Sequence, residues 1–287
     1  MHEKNFVVVM ESVVRAAAMP KAVFPLLLLA AMPARAEDML TAPALRWSGG
    51  VQAVTDNRFR GVSQSDLMPA IGGNLTVDHR SGLYLGGSVV TVSGWGAVGG
   101  APVQLRLDAG YLGTLADARI DAGVSWYLYP GGAAPGGFVE MRADISGTLG
   151  PVTLAGGLAW APPQTALGNW SGTPESRPGS SGSNLYLRAD VAGAVLGTPL
   201  TITGHVGHSQ GSEGLGPQGW ALAPTGAYWD WRLGVEYGQG PFTLGLAWVA
   251  TDIDTGSRAW RQLQPEFSAD GGPLGGSQFV ASVSARF

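Results

Sequence analysis

The 287-residue chain contains no cysteine, and charged residues make up only 13% of it. The absence of cysteine excludes a disulfide framework and suits an exported protein. Charge this sparse would solvate a soluble domain poorly. Beyond residue 36, no apolar run approaches the roughly 20 residues that a membrane-spanning helix needs. The composition therefore disfavours both a soluble globular protein and a helical membrane protein.

Lysine is confined to the N-terminal segment, where Lys4 and Lys21 are the only two in the chain. Beyond residue 36, 13 arginines stand against 19 acidic residues, which gives a formal net charge of −6. A nucleic-acid-binding protein would need a basic face. The charge balance therefore argues against a nucleic-acid partner.

The N-terminus has the three parts of a secretory signal. A short basic segment, Met19–Lys21, precedes an apolar stretch over residues 22–32 that is too short to span a bilayer. An A-x-A cleavage site follows at residues 34–36. We therefore expect residues 1–36 to be a signal peptide, with Met19 as an alternative translation start, and residues 37–287 to form a single domain. A retained membrane anchor is the alternative.

From residue 277 to the C-terminus, odd positions are apolar or small and even positions are mostly polar. This alternation is typical of a strand with one apolar face. Phe287 ends the strand in the way that a terminal aromatic ends the last strand of outer-membrane barrels, so we expect the barrel-assembly machinery to recognise it. Eleven other segments alternate similarly. The predicted strands are 43–56, 69–79, 83–92, 102–113, 118–129, 137–148, 151–161, 183–196, 199–208, 228–238, 241–252 and 277–287.

The connections between these segments alternate between long and short along the whole chain. Outer-membrane barrels with both termini in the periplasm show this rhythm, with the long loops outside. Most segments have about 10 residues, enough for a tilted strand to cross a bilayer. The sequence thus predicts an all-β fold, a transmembrane antiparallel up-and-down β-barrel of about 12 strands. We expect it in the outer membrane of a Gram-negative bacterium, in contact with lipid and lipopolysaccharide.

Charged residues fall on the strand faces opposite the apolar ones, so they are expected to line the lumen. Five strands carry an arginine and an aspartate two residues apart, a spacing that puts both on one face. Two interpretations remain open, a charged constriction that filters solutes or a paired network that fills and stiffens the lumen. The predicted lumenal charges are Arg106, Asp108, Arg119, Asp121, Glu140, Arg142, Asp144, Arg188, Asp190, Asp230, Arg232 and Glu236.

Several sequence blocks carry a family resemblance, which is densest over residues 54–86 and continues at residues 108–111 and 127–130. Residues 54–66 read VTDNRFRGVSQSD and residues 81–86 read SGLYLG. On these blocks the chain resembles the TorF-type porin family of proteobacterial outer-membrane proteins, over most of residues 43–255. Asn57 departs from the family pattern, in which an aromatic usually follows the aspartate. The resemblance implies a porin, and it implies neither catalytic residues nor a particular solute.

The motif RFRGVSQ opens the first long loop, 57–68. Its two arginines would share one face. Pointing outward, they would meet lipopolysaccharide phosphates, which arginine binds well. Pointing inward, they would pair with lumenal acids such as Asp56 or Asp78. The candidate residues of this loop are Arg58, Arg60, Gly61, Ser63 and Gln64.

The function that the sequence predicts is a passive channel for small hydrophilic solutes, with no cofactor, no metal and no catalytic residue. A hydrolase would need a nucleophile, a histidine and an acid. Ser209, His205 or His208, and Asp190 could be imagined in these roles, but no nucleophile signature supports them. Twelve strands make a barrel of modest width. A non-conducting structural or adhesive barrel, closed by its lumenal charges, therefore remains the main alternative.

Overall fold

The computed structural model describes residues 44–93, 100–132, 136–168, 179–212, 222, 226–254, 256 and 272–287. Within these ranges, twelve antiparallel strands form a closed barrel, and two very short strands form a separate hairpin. The strands are β1 (Leu45–Val54), β2 (Arg58–Phe59), β3 (Val62–Ser63), β4 (Ala70–His79), β5 (Leu83–Thr91), β6 (Val103–Leu115), β7 (Ala118–Leu128), β8 (Phe138–Leu149), β9 (Val152–Gln164), β10 (Gly182–Ala194), β11 (Leu200–Gly211), β12 (Ala227–Gln239), β13 (Phe242–Thr251) and β14 (Gln278–Arg286).

The barrel closes where β1 pairs with β14, as predicted from the sequence. In this seam, Gly50–Val54 is in register with Ser282–Arg286, whereas all ten residues of β1 pair with β4 on the other side. Two backbone hydrogen bonds of 3.1 Å between Gly49 and Phe287 extend the seam. Closure leaves no open sheet edge along the paired strands, which is what lets a β-structure lie in lipid.

The barrel is apolar outside and polar inside. On β12, for example, Trp229 and Leu233 are exposed, whereas Asp230 on the opposite face is buried. The same arrangement repeats around the barrel, because alternate side chains of a strand point to opposite faces. Within the described ranges, no helix is long and apolar enough to cross a membrane.

The predicted strands are confirmed, and their ends agree with the structure to within about three residues. The largest differences are at the ends of β9 and β11, which run on to Gln164 and Gly211. The hairpin of β2 and β3 was not predicted. It turns at Arg60 and Gly61, which both have positive φ, 50° and 78°. Such turns usually carry Asn-Gly or Asp-Gly, so Arg-Gly gives a weak signal.

Candidate functional site in the barrel lumen

Seven titratable side chains form one continuous row across the inner wall of the barrel. We call it the charge row. It runs over β7, β8, β10, β11 and β12, and acids alternate with bases along it. Its members are Asp121, Arg142, Asp144, Arg188, Asp190, His205 and Asp230.

The first links of the charge row are arginines that each bridge two carboxylates. Arg142 Nη1 lies 2.9 Å from Asp121 Oδ2 and 2.9 Å from Asp144 Oδ2. Arg188 Nη2 lies 2.5 Å from Asp144 Oδ1, and its Nη1 donates to Asp190. The row therefore contains both pairs within one strand and pairs between strands.

His205 closes the row between two carboxylates. Its Nδ1 lies 2.6 Å from Asp190 Oδ1, and its Nε2 lies 3.2 Å from Asp230 Oδ1. The Tyr186 hydroxyl, 2.9 Å from Nε2, donates to Asp230 at 3.0 Å. Neutral imidazole carries one N–H, whereas imidazolium carries two. With an acceptor at each nitrogen, the geometry favours imidazolium, which makes His205 the third cation of the row.

The row can cross β9 because the inner face of that strand carries only small side chains. Arg188 on β10 reaches Asp144 on β8 over Gly157. A Cβ atom at Gly157 would lie 3.1 Å from the Arg188 guanidinium and closer still to the Asp144 carboxylate. Only glycine leaves this bridge room. The other inward residues of β9 are Thr153, Ala155, Ala159 and Ala161.

Little of the charge row touches solvent, since its side chains are between 2% and 14% exposed. Tyr84 covers part of it by donating to Asp121 at 2.9 Å and accepting from Arg142. Charges this withdrawn from water are stable only when they are paired and hydrogen-bonded. On this side, the lumen is filled rather than open.

The remaining predicted charges also lie on inner faces, outside the row. Arg106 Nε lies 3.0 Å from Asp108 Oδ2, and Ser125 donates to the same carboxylate. Arg232 does not pair with Asp230, its neighbour in the sequence pattern, and instead lies 3.7 Å from Glu236. Arg119 lies at the start of β7, one position before the outward-facing Ile120.

The motif loop folds into the barrel mouth. We call residues 55–69 loop L1, and the barrel end that carries the long connections the loop end. Arg58 Nε lies 2.6 Å from Asp56, and Arg58 Nη1 donates to the Gly276 carbonyl at 2.6 Å. Asp56 also accepts from the hydroxyls of Ser63 and Ser65, at 2.5 and 3.1 Å. Of the two directions considered for the arginines, the structure shows the inward one.

Arg60 makes the deepest contacts of L1. Its Nη2 lies 2.7 and 3.0 Å from the two Glu140 oxygens, and its Nη1 donates to Asn184 at 2.5 Å. The guanidinium lies 4.3 Å from the centre of the Tyr186 ring, and Tyr228 donates to the Arg60 carbonyl at 3.0 Å. Burial alone would lower the pKa of Arg60, but Glu140 and the two tyrosines more than offset this and raise it.

Aromatic rings pack L1 from below. Phe59 meets Tyr127 edge-on at 5.8 Å, and Tyr127 stacks on Phe138 at 4.7 Å. Gln64 closes the other end of the hairpin, where its carbonyl accepts from the Ser93 backbone at 3.1 Å. Edge-on and stacked rings hold their partners in defined orientations. L1 is therefore packed into the mouth as a structured element.

The opposite side of the lumen is lined by small and uncharged side chains. We call it the uncharged wall, and it lies on β1, β4 and β14. Charged residues, among them Arg46 and Arg286, occur only towards its far end. Gln52 and Asn74 point into the lumen and are exposed, and Ser282 is partly exposed. The members of the wall are Ser48, Gly50, Gln52, Gly72, Asn74, Ser282 and Ser284.

Residues 40–283 match the family described as a bacterial protein of unknown function (Gcw_chp). The chain belongs to this family. No curated protein matches the sequence. In structure, this family member is similar to the KdgM porin, with a TM-score of 0.49 and 7% identity over 84% of this chain and 99% of that one. It is also similar to an outer membrane channel from Pseudomonas putida F1, with a TM-score of 0.44 and 14% identity over 87% and 97% of the two chains.

Together, the bacterial family, the closed barrel and the apolar outer face make this chain a protein of the bacterial outer membrane. A closed barrel hydrogen-bonds its own backbone, and its exposed leucine, valine and tryptophan side chains suit a lipid environment. The architecture is that of a closed, twelve-stranded antiparallel barrel. Its lumen has two unlike sides, the buried charge row and the uncharged wall, which is exposed in part.

Proposed function

We propose that this protein is a passive channel for small hydrophilic solutes. The observation that carries the proposal is the exposure of inward-facing polar side chains on the uncharged wall, above all Gln52 and Asn74. Side chains that face the lumen and still touch solvent indicate a water-filled path beside the charge row. Hydroxyl and amide groups along such a path can replace part of the water around a polar solute.

The charge row supports a channel of weak ion preference. Strongly selective pores expose rings of one charge sign. Here the lumenal acids and bases pair with one another, so that little net field remains along the path. The resemblance to the TorF-type porin family agrees with this proposal. Export by a signal peptide over residues 1–36, recognition of Phe287 by the assembly machinery and contact with lipopolysaccharide belong to it as well.

Conductance of the purified protein in planar lipid bilayers tests the proposal. We expect the wild type to conduct and Asn74→Trp to conduct much less, because an indole would stand in the path. Leu75→Trp is the matched control, since the next residue of β4 points to lipid and is exposed there. An inactive wild type, or equal conductance of the two variants, would refute the channel.

A non-conducting structural barrel is the second candidate, and the burial of the charge row favours it. If the uncharged wall held only trapped water, neither the wild type nor any variant of that wall would conduct. The same bilayer measurement therefore separates the two candidates.

An enzymatic role has little support in the lumen. The two nitrogens of His205 face Asp190 at one end and Asp230 with Tyr186 at the other. Ser209 instead donates to the Leu222 carbonyl. A serine nucleophile needs a histidine within hydrogen-bond reach. We therefore propose transport without catalysis.

A further inference from the structure

We infer that Arg60 fixes loop L1 across the loop end of the lumen, so that L1 sets the size of the largest solute that the channel admits. The size limit rests on the proposed channel function. The fixation of L1 by Arg60 does not, and it can be tested without transport.

The path of L1 supports this inference because it spans the barrel. L1 begins where β1 ends, and Arg60 contacts Glu140 on β8 and Asn184 on β10. In the closed order of twelve strands, β8 and β10 each lie five strands from β1, one in either direction. The guanidinium therefore reaches the wall opposite the one from which the loop departs.

The contacts of Arg60 restrict both its position and its orientation. Its side chain is 2% exposed and that of Glu140 is 0% exposed. Both Glu140 oxygens lie within 3.0 Å of Nη2, and the guanidinium packs against the rings of Phe59 and Tyr186. A planar guanidinium held by a carboxylate and by ring faces has little freedom to turn. Arg60 is a positioning residue, because it acts on solutes through the loop that it holds.

The remainder of L1 is tied to other parts of the mouth. Arg58 binds the Gly276 carbonyl, and the Ser63 backbone donates to the Leu274 carbonyl at 2.9 Å. The Thr251 methyl and the Asp230 side chain pack against Gly61, where a Cβ atom would clash. L1 is thus held near its root and at its tip. L1 leaves the barrel at the end of β1, which is part of the uncharged wall. The loop therefore lies over the loop end of that wall, along which we propose that solutes pass.

Liposome swelling with sugars of increasing length measures the size limit. We expect Arg60→Ala to admit sugars at least one unit longer than the wild type admits. Glu140→Gln, which keeps the volume and removes the charge, should shift the limit in the same direction. Arg80→Ala is the control, because Arg80 is an exposed arginine in the short turn between β4 and β5, at the end of the barrel away from L1. An unchanged limit in Arg60→Ala, or an equal shift in the control, would overturn the size filter.

Cysteine labelling measures the position of L1 independently of transport, since the natural chain has no cysteine. Gln64 is 4% exposed and Met68 is 59% exposed, both within L1. A maleimide should label Gln64→Cys slowly and Met68→Cys quickly. Adding Arg60→Ala should raise the rate at Gln64→Cys by about tenfold or more, as local opening exposes it, and should leave Met68→Cys unchanged.

Cysteine labelling tests the fixation of L1 by Arg60, and liposome swelling tests the channel and its size limit. Fast labelling of Gln64→Cys without a second substitution, or no acceleration by Arg60→Ala, would overturn the fixation of L1 by Arg60. Absence of sugar uptake in every variant, despite accelerated labelling, would refute the channel and with it the size limit. Should Arg60→Ala fail to assemble, Glu140→Gln takes its place in both experiments with the same expected directions.

Discussion

At Gly157, the absence of a side chain leaves space for an ion pair in the lumen. The Arg188–Asp144 bridge passes over it, and a Cβ atom there would enter the bridge. We expect Gly157→Val to lower the free energy of unfolding by about 1–3 kcal/mol, the usual cost of overpacking. Urea unfolding of the barrel in lipid vesicles measures this loss.

Gly147→Val is the matched control, because a Cβ atom at Gly147 would meet no heavy atom within 4 Å. Valine suits strands, so this substitution should change stability little. Equal losses for the two valine variants would show that the bridge over β9 is not what requires glycine.

At the residue scale, the sequence predicts the lumenal charges but not their partners. Alternation alone puts Arg142 and Asp144 on an inner face. It does not show that Tyr84 donates to Asp121 and accepts from Arg142, or that Arg232 leaves Asp230 for Glu236. These pairings depend on strand register and barrel curvature. The roles of Gly157 and His205 are hidden in the sequence for the same reason.

At the scale of elements, the charge row spans strands β7 to β12, and a single histidine, His205, links its β10 part to β12. It contains four aspartates and two arginines, and protonated His205 reduces the excess of acid. His205→Ala would leave Asp190 and Asp230 without their shared donor. Loss of one partner from a well-buried ionic network can cost about 3–5 kcal/mol. We expect a lower melting temperature and, because net negative charge remains, a shift of the channel towards cations.

The reversal potential across a bilayer with unequal KCl concentrations measures that shift. Thr201→Ala, a substitution in the same strand that leaves every charge in place, should change neither the reversal potential nor the melting temperature. If His205→Ala behaved like this control, His205 would not carry the charge that its geometry indicates.

The elements themselves were largely predictable, because a period of two residues needs no knowledge of distant contacts. β12 illustrates this, since the side chains of residues 228–237 alternate between the inner and the outer face of the barrel, and this alternation can be read from the sequence. L1 illustrates the opposite case. Its strands have only two residues each, and its conformation depends on Glu140 and Asn184, which are 80 and 124 positions away along the chain.

At the scale of the whole molecule, we propose different roles for the two sides of the lumen, a structural role for the charge row and transport for the uncharged wall. The charge row links side chains of neighbouring strands from β7 to β12 in one buried network, as the side chains of a folded core do. The uncharged wall lies at the seam, where the first and last strands meet over only five registered pairs. The proposed path therefore runs beside the seam that joins the first and last strands of the barrel.

At that seam, the backbone and the ring of Phe287 make different contacts, so their contributions can be tested separately. The backbone of Phe287 pairs with Gly49, and its ring, 79% exposed, points towards lipid next to that glycine. Phe287→Ala keeps the backbone bonds and removes only the ring. We expect it to reduce the amount of barrel assembled in cells to less than half. The stability of the assembled fraction should change by less than about 0.5 kcal/mol, as is usual for an exposed side chain.

Phe279→Ala is the matched control for Phe287→Ala. Phe279 lies on the same face of β14, is 68% exposed and differs mainly in standing at the other end of the strand. Loss of a lipid-facing ring should affect the two variants alike, whereas loss of a recognition signal should affect only Phe287→Ala. Quantifying the heat-modifiable, folded band in outer-membrane fractions separates these outcomes. Equal assembly of the two variants would mean that the terminal ring contributes only contact with lipid.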